Sequence, residues 1–191
     1  MSKLTTLKEA ALYIAEKYVF NEQNYPALAK LTGIDTKVFA VNHSILHMMK
    51  SMPGFIGTWH LLNIGNFHMQ DVKEHKANHE KVMVKMLVNA LKLVEVMGVS
   101  PEEVSTTKQQ YDRAVTSYDS LLDYMSNIAA QCESYDHGGK FDEDVVKQNA
   151  ISILQLVLAG LNQDEDKTPC MQVPFQYKQA IALIPDYMKS K

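Results

Sequence analysis

The segment Phe67–Met97 constrains the fold of this chain more than any other stretch. Its first half is polar, with Gln70, Asp71, Lys73, Glu74, Lys76, Asn78 and Glu80. Its second half is apolar on nearly every helical face: Val82, Met83, Val84, Met86, Leu87, Val88, Ala90, Leu91, Leu93, Val94, Val96 and Met97. A helix that is apolar all round has to be contacted from several sides. The pattern therefore predicts an all-α, multi-helix bundle built round a long central helix over about 67–97, ended by Gly98.

The flanking sequence supplies the partners of that helix. A first helix is expected from about Thr5 to Phe20, with Leu7, Ala11, Ile14, Ala15 and Tyr18 on its apolar stripe. A short helix over Pro26–Leu31 would stop at Gly33. Asp35 or Thr36 caps a second main helix running to about Met52, with Val38, Val41, Ile45, Met49 and Met52 facing inward. Pro53-Gly54 interrupts it, and Phe55–Leu62 is either a kinked continuation or a loop. Ser100-Pro101-Glu102-Glu103 has the residues of a capped helix start, so a helix is expected from Pro101 to about Glu133. Another runs from Asp142 or Asp144 to about Leu161, and a last one from Gln176 to Leu183 ends before Pro185. With no repeat and no linker, residues 1–191 read as one helical domain. Its bundle core is expected over about 36–133, with C-terminal helices over about 142–190 packed on it.

Composition excludes several classes of function. The 191 residues are 46% hydrophobic with only 8 Gly and 6 Pro, which suits long helices. The 11 Met fill helix–helix gaps. A net charge of −3 offers no basic field, so nucleic acid is not an expected partner. Cys132 and Cys170 form no metal or redox motif, which points to a reducing compartment. The N-terminus lacks a signal-peptide layout and no run resembles a membrane span, so a cytoplasmic location without membrane partners is expected.

Six of the 7 histidines fall between residues 43 and 79. His43/His47 and His75/His79 are i, i+4 pairs, and that spacing puts two imidazoles on one helix face as paired metal ligands. If the second and third helices pack antiparallel, the pairs could converge on a divalent metal. Against this, carboxylate-bridged helical metal sites use Glu-x-x-His. Here Asp71 precedes His75 by four and Glu74 by one.

The stretch Asn89-Ala-Leu-Lys-Leu-Val-Glu-Val-Met-Gly-Val-Ser-Pro-Glu-Glu-Val104 resembles the all-α nucleoside triphosphate pyrophosphohydrolases: the MazG group, the dimeric dUTPases and the phage dCTPases. His43–Trp59 resembles the earlier metal-binding helix of that family, and the likeness spans about Asn42 to Tyr118. It implies a helical nucleotide-binding fold. Lys108 and Arg113 would belong to the basic helix that follows the Gly and the acidic start. The family's four Mg²⁺-binding acids, in ExxE and ExxD pairs, would fall near Pro53 and Ile56 and on Val82 and Lys85. None of these is an acid. Lys85 could hold phosphate in place of the cation, although a lysine snorkelling from a half-buried helix is the plainer reading.

Three functions follow from these residues. The first is a degenerate, non-catalytic relative of the pyrophosphohydrolases that binds a nucleotide or a protein partner, with Lys85, Lys108 and Arg113 as phosphate ligands and no cofactor. The second is a metal-binding bundle using His43, His47, His75 and His79. The third is an unrelated helical interaction or regulatory protein. A long central helix flanked by amphipathic ones also makes a homodimer platform.

Overall fold

A computed structural model describes residues 4–21, 23–26, 28, 33, 35–60, 72–104, 119–161 and 177–189, with the side chains of 59, 60, 72, 73, 75, 76 and 177 outside the description. The described residues form α-helices and connecting turns and no strand. Among the described residues six helices follow one another: α1 (Leu7–Lys17), α2 (Thr36–His60), α3 (Val72–Val96), α4 (Asp119–Asp136), α5 (Glu143–Leu161) and α6 (Tyr177–Lys189).

Local chemistry sets most of the helix ends. Thr6 and Glu9 close a capping box at the start of α1, so the helix begins two residues later than the periodicity suggests. The Asp35 carboxylate accepts from the Lys37 N–H at 2.7 Å at the start of α2. The Asp142 carboxylate accepts from the N–H groups of Asp144 and Val145, both at 3.1 Å, which settles Asp142 as the cap of α5. At the end of α3, Gly98 adopts a φ of 67°, and the Val99 and Gly98 N–H groups donate to the carbonyls of Val94 and Glu95. That is the six-to-one and five-to-two pair of a Schellman turn.

Helix α3 is the centre of the bundle and packs against α1, α2, α5 and α6. Met86, Leu87, Val88, Ala90, Leu91, Leu93 and Val94 lose essentially all contact with water, as an all-round apolar helix requires. Helix α5 also packs on α4, with Val146, Ala150, Ile153, Leu154 and Val157 buried. Helices α2 and α3 run antiparallel: Gly54 faces Val82, and four residues further along α2 Thr58 faces His79, three residues earlier on α3. Gly54 permits the close approach, since a Cβ there would lie 3.3 Å from a Val82 methyl.

The structure chooses the helical continuation of the two alternatives beyond Pro53 and corrects the sequence reading at three further places. Helix α2 runs through Pro53 to His60. Pro53 is exposed, and the following turn buries Thr58 and half-buries Phe55 and Ile56, which offsets the lost helical bond. Helix α6 likewise passes through Pro185, because Ile184 is buried before it and Tyr187 and Met188 pack on the core after it. Met48 rather than Met49 faces inward, at 0% exposure against 37%. Residues 101–103 form a turn rather than the first turn of a helix reaching Glu133. That turn places Val99, Pro101 and Val104 against the core, and their burial outweighs the capping signal.

The short helix expected at Pro26–Leu31, the start of the central segment at residues 67–71 and the 162–174 connection lie wholly or largely outside the described residues. Among the described residues no helix is long and apolar enough to cross a membrane.

Candidate functional site: an aromatic cleft between α1, α2 and α6

The turn after α1 is shaped by two asparagines. The Asn21 carboxamide oxygen accepts from the Asn24 N–H at 2.9 Å, and the Asn24 side-chain amide donates to the Val19 carbonyl at 2.9 Å. The Tyr25 N–H closes the turn onto the Asn21 carbonyl at 2.9 Å. The turn folds Tyr25 back over Phe20, with ring centroids 4.9 Å apart and planes 12° from parallel. Both rings meet one face of α2. Tyr25 packs edge-on against His43 at 5.1 Å, and Phe39 stacks on that imidazole at 6.0 Å and meets the Tyr25 ring edge-on at 5.9 Å. One helical turn on, His47 lies 4.4 Å from His43. Ring pairs in this range attract one another beyond their simple burial.

Tyr25, His43 and His47 of this cluster form one wall of a cleft of about 840 Å³. The remaining lining comes from Tyr13, Glu16, Lys17, Tyr18 and Asn24 on and after α1 and from Met188 and Lys189 at the end of α6. The cleft volume falls within the usual range for small-molecule sites. Its chemistry is mixed in a specific way: flat rings, a carboxamide, two ammonium groups and one carboxylate. Burial, and then the neighbouring Tyr18, push the Tyr25 phenol up, so it remains a neutral hydrogen-bonding group. The buried Lys92 of α3 holds its ammonium 3.2 Å from the centre of the Tyr18 ring.

The second histidine environment is dry. His79 is 6% exposed in the seam between α2 and α3. Its Nδ1 lies 3.0 Å from the Thr58 hydroxyl, which in turn reaches the Gly54 carbonyl at 2.8 Å. Both contacts are satisfied when Thr58 donates to Gly54 and His79 Nδ1–H donates to Thr58. Burial lowers the His79 pKa to about 4, so the imidazole is neutral in the folded protein.

His43 and His47 therefore do not converge with His79. His79 lies level with Thr58, and His47 is eleven residues back along α2, roughly 16 Å of helix. Antiparallel packing, the condition set for convergence, is present, but its register keeps His43 and His47 away from His79. The His75 side chain lies outside the described residues. Among the described residues no group of three or more His, Cys, Asp or Glu could hold a metal ion.

Lys85, the expected phosphate ligand, lies elsewhere. It lines a smaller cleft of about 400 Å³ between α3 and α6 with Ala77, Glu80, Lys81, Val84, Leu183, Asp186 and Tyr187. Of the two carboxylates in this cleft, Asp186 is ion-paired with Lys189 at 3.2 Å. Lys108 and Arg113 lie outside the described residues. Cys132 is buried, and burial followed by Asp136 pushes its thiol up to about 11, the opposite of an activated nucleophile.

Sequence reasoning missed Tyr13, Lys17, Asn24, Tyr25 and Lys189 and placed Tyr18 in the core. The signal that could have found them is aromatic density: Tyr13, Tyr18, Phe20, Tyr25 and Phe39 crowd one stretch just before His43. Compared with family models, curated proteins and solved structures, the chain matches none of them.

Proposed function

We propose that this chain is a helical nucleotide-binding protein whose ligand occupies the cleft between α1, α2 and α6. The observation that carries the proposal is the composition of that cleft. Tyr13, Tyr18, Tyr25, His43 and His47 offer flat surfaces for a base, while Lys17 offers charge to phosphate oxygens, with Lys189 beside it in an ion pair with Asp186. Stacking a base on an aromatic side chain contributes about 1–3 kcal/mol, so two such contacts would supply much of a micromolar affinity. Lysine binds phosphate as a point charge and needs no metal between.

The likeness to the MazG-type pyrophosphohydrolases supports the ligand class. It does not extend to their chemistry, because Pro53, Ile56, Val82 and Lys85 stand where the four Mg²⁺-binding acids would be. Three of the four cannot ligate a cation at all, and Lys85 would repel one. Binding, and no metal-dependent hydrolysis, is the role assigned here.

A thermal-shift screen of nucleoside mono-, di- and triphosphates tests the proposal. Ligand at a hundredfold over its dissociation constant should stabilise the protein by about 2.7 kcal/mol and raise Tm by several degrees, with or without Mg²⁺. No shift with any nucleotide at millimolar concentration would disprove it.

A further inference from the structure

The smaller cleft, between α3 and α6, has apolar walls on both helices. Ala77 and Val84 share one face of α3, two turns apart, and Leu183 and Tyr187 share one face of α6, one turn apart. Helix α6 buries Ala180, Ile181 and Ile184 fully against the core, whereas Leu183 stays 39% exposed. Leu183 is thus an apolar side chain that the packing of the bundle leaves at the cleft. Burial pushes the Tyr187 phenol up to about 12, so this wall carries no negative charge.

The charge at the same cleft is not balanced. Lys81 and the half-buried Lys85 stand one turn apart on α3, a spacing at which like charges repel. Asp186 is taken up by Lys189 at 3.2 Å. Glu80 is the other acid lining the cleft, and among the described residues neither it nor either of the two lysines forms an ion pair. Two ammonium groups against one carboxylate leave a single positive charge beside apolar walls. The volume, about 400 Å³, is that of a small-molecule site.

We propose that this cleft binds a single-chain aliphatic carboxylate of the fatty-acid type, its chain against Val84, Leu183 and Tyr187 and its head at Lys81 and Lys85. The chain gains by leaving water. The lysine stems extend along apolar surface and keep their ammonium groups in water, where a carboxylate head would lie. One negative charge matches the charge left over, and the same charge disfavours an aliphatic cation of equal length. The proposal stands apart from the nucleotide reading, which concerns the ring-lined cleft.

Calorimetric titration of the full chain with hexanoate, octanoate and decanoate, each below its micelle concentration, tests the proposal, with decylamine as the control of opposite charge. Affinity should rise about tenfold for each two methylenes. Decylamine should bind at least about tenfold more weakly than decanoate. Lys85→Met keeps the side-chain length, removes the charge and should weaken decanoate about fivefold. Leu183→Ser should flatten the chain-length series, and adenosine monophosphate should not compete with decanoate. No binding of decanoate, affinity independent of chain length, equal binding of decylamine, competition by the nucleotide, or unchanged decanoate affinity in either variant would overturn the proposal. The wild-type series and its amine control decide the matter even if a variant does not fold.

Discussion

Helix α2 carries two polar sites that differ in almost every physical respect. Near its end, Thr58 meets His79 of α3 in a dry seam, its hydroxyl bonded to both His79 Nδ1 and the Gly54 carbonyl. Near its start, His43 stands against Phe20, Tyr25 and Phe39, with His47 beside it, at the edge of a cleft that water can enter. Both histidine pairs have the same spacing in sequence. The difference shows that spacing decides which residues share a helix face, while the partner helix decides what that face can do. The seam is built for stability. The cleft holds more polar and aromatic surface than packing alone requires.

The largest expected effect lies on the seam side. Leu87 is fully buried in α3, and Leu87→Ala should cost about 2–5 kcal/mol, read as a lower urea midpoint. A variant as stable as the parent would mean that α3 is not the dry core described. Next is the pH response of His79. Above pH 6.5 its imidazole is neutral whether the chain is folded or not. As pH falls from 6.5 towards 4, the unfolded chain takes up a proton that the folded chain refuses, so stability is lost. The total is about 3 kcal/mol. His79→Gln should flatten that part of the urea-midpoint profile, and an equally steep profile in the variant would place the loss elsewhere.

On the cleft side the stability effects are smaller and the binding effects larger. Tyr25→Leu removes ring contacts with Phe20 and His43 and should cost about 1 kcal/mol of stability. The same change should abolish the nucleotide-induced thermal shift. The smallest effect belongs to Lys85→Met in the other cleft. It should leave stability within about 0.5 kcal/mol and nucleotide affinity within about twofold. A large loss of affinity in that variant, with Tyr25→Leu silent, would move the site from the α1–α2–α6 cleft to the α3–α6 one.

Much of the fold is legible in the sequence because local rules and global packing agree there. The all-round apolar run after Val82 marks the central helix, and Asp35, Gly98 and Asp142 sit where the helix ends require them. The prolines mislead because their penalty, about 3 kcal/mol in a helix interior, is a local quantity. Burial around Thr58 and beyond Pro185 offsets it, and that burial comes from helices distant in sequence. Met48 and Met49 differ by one position on a helix whose two faces are both apolar there, so periodicity alone does not choose between them. The cleft is hardly legible at all. Its walls come from residues near 13–25, 43–47 and 188–189, and only the packing of α1 and α6 on α3 brings them together. Histidine spacing drew attention to His43 and His47 for a metal, whereas their neighbours turn out to be rings rather than carboxylates.

The most direct test of the cleft is to follow the imidazole Cε1 resonances of His43, His47 and His79, assigned by single His→Gln variants, while adenosine monophosphate is added. Nucleotide binding between α1, α2 and α6 predicts saturable shifts at His43 and His47, with His79 unmoved in its seam. Shifts at His79 alone, or at none of the three while the nucleotide binds, would contradict it.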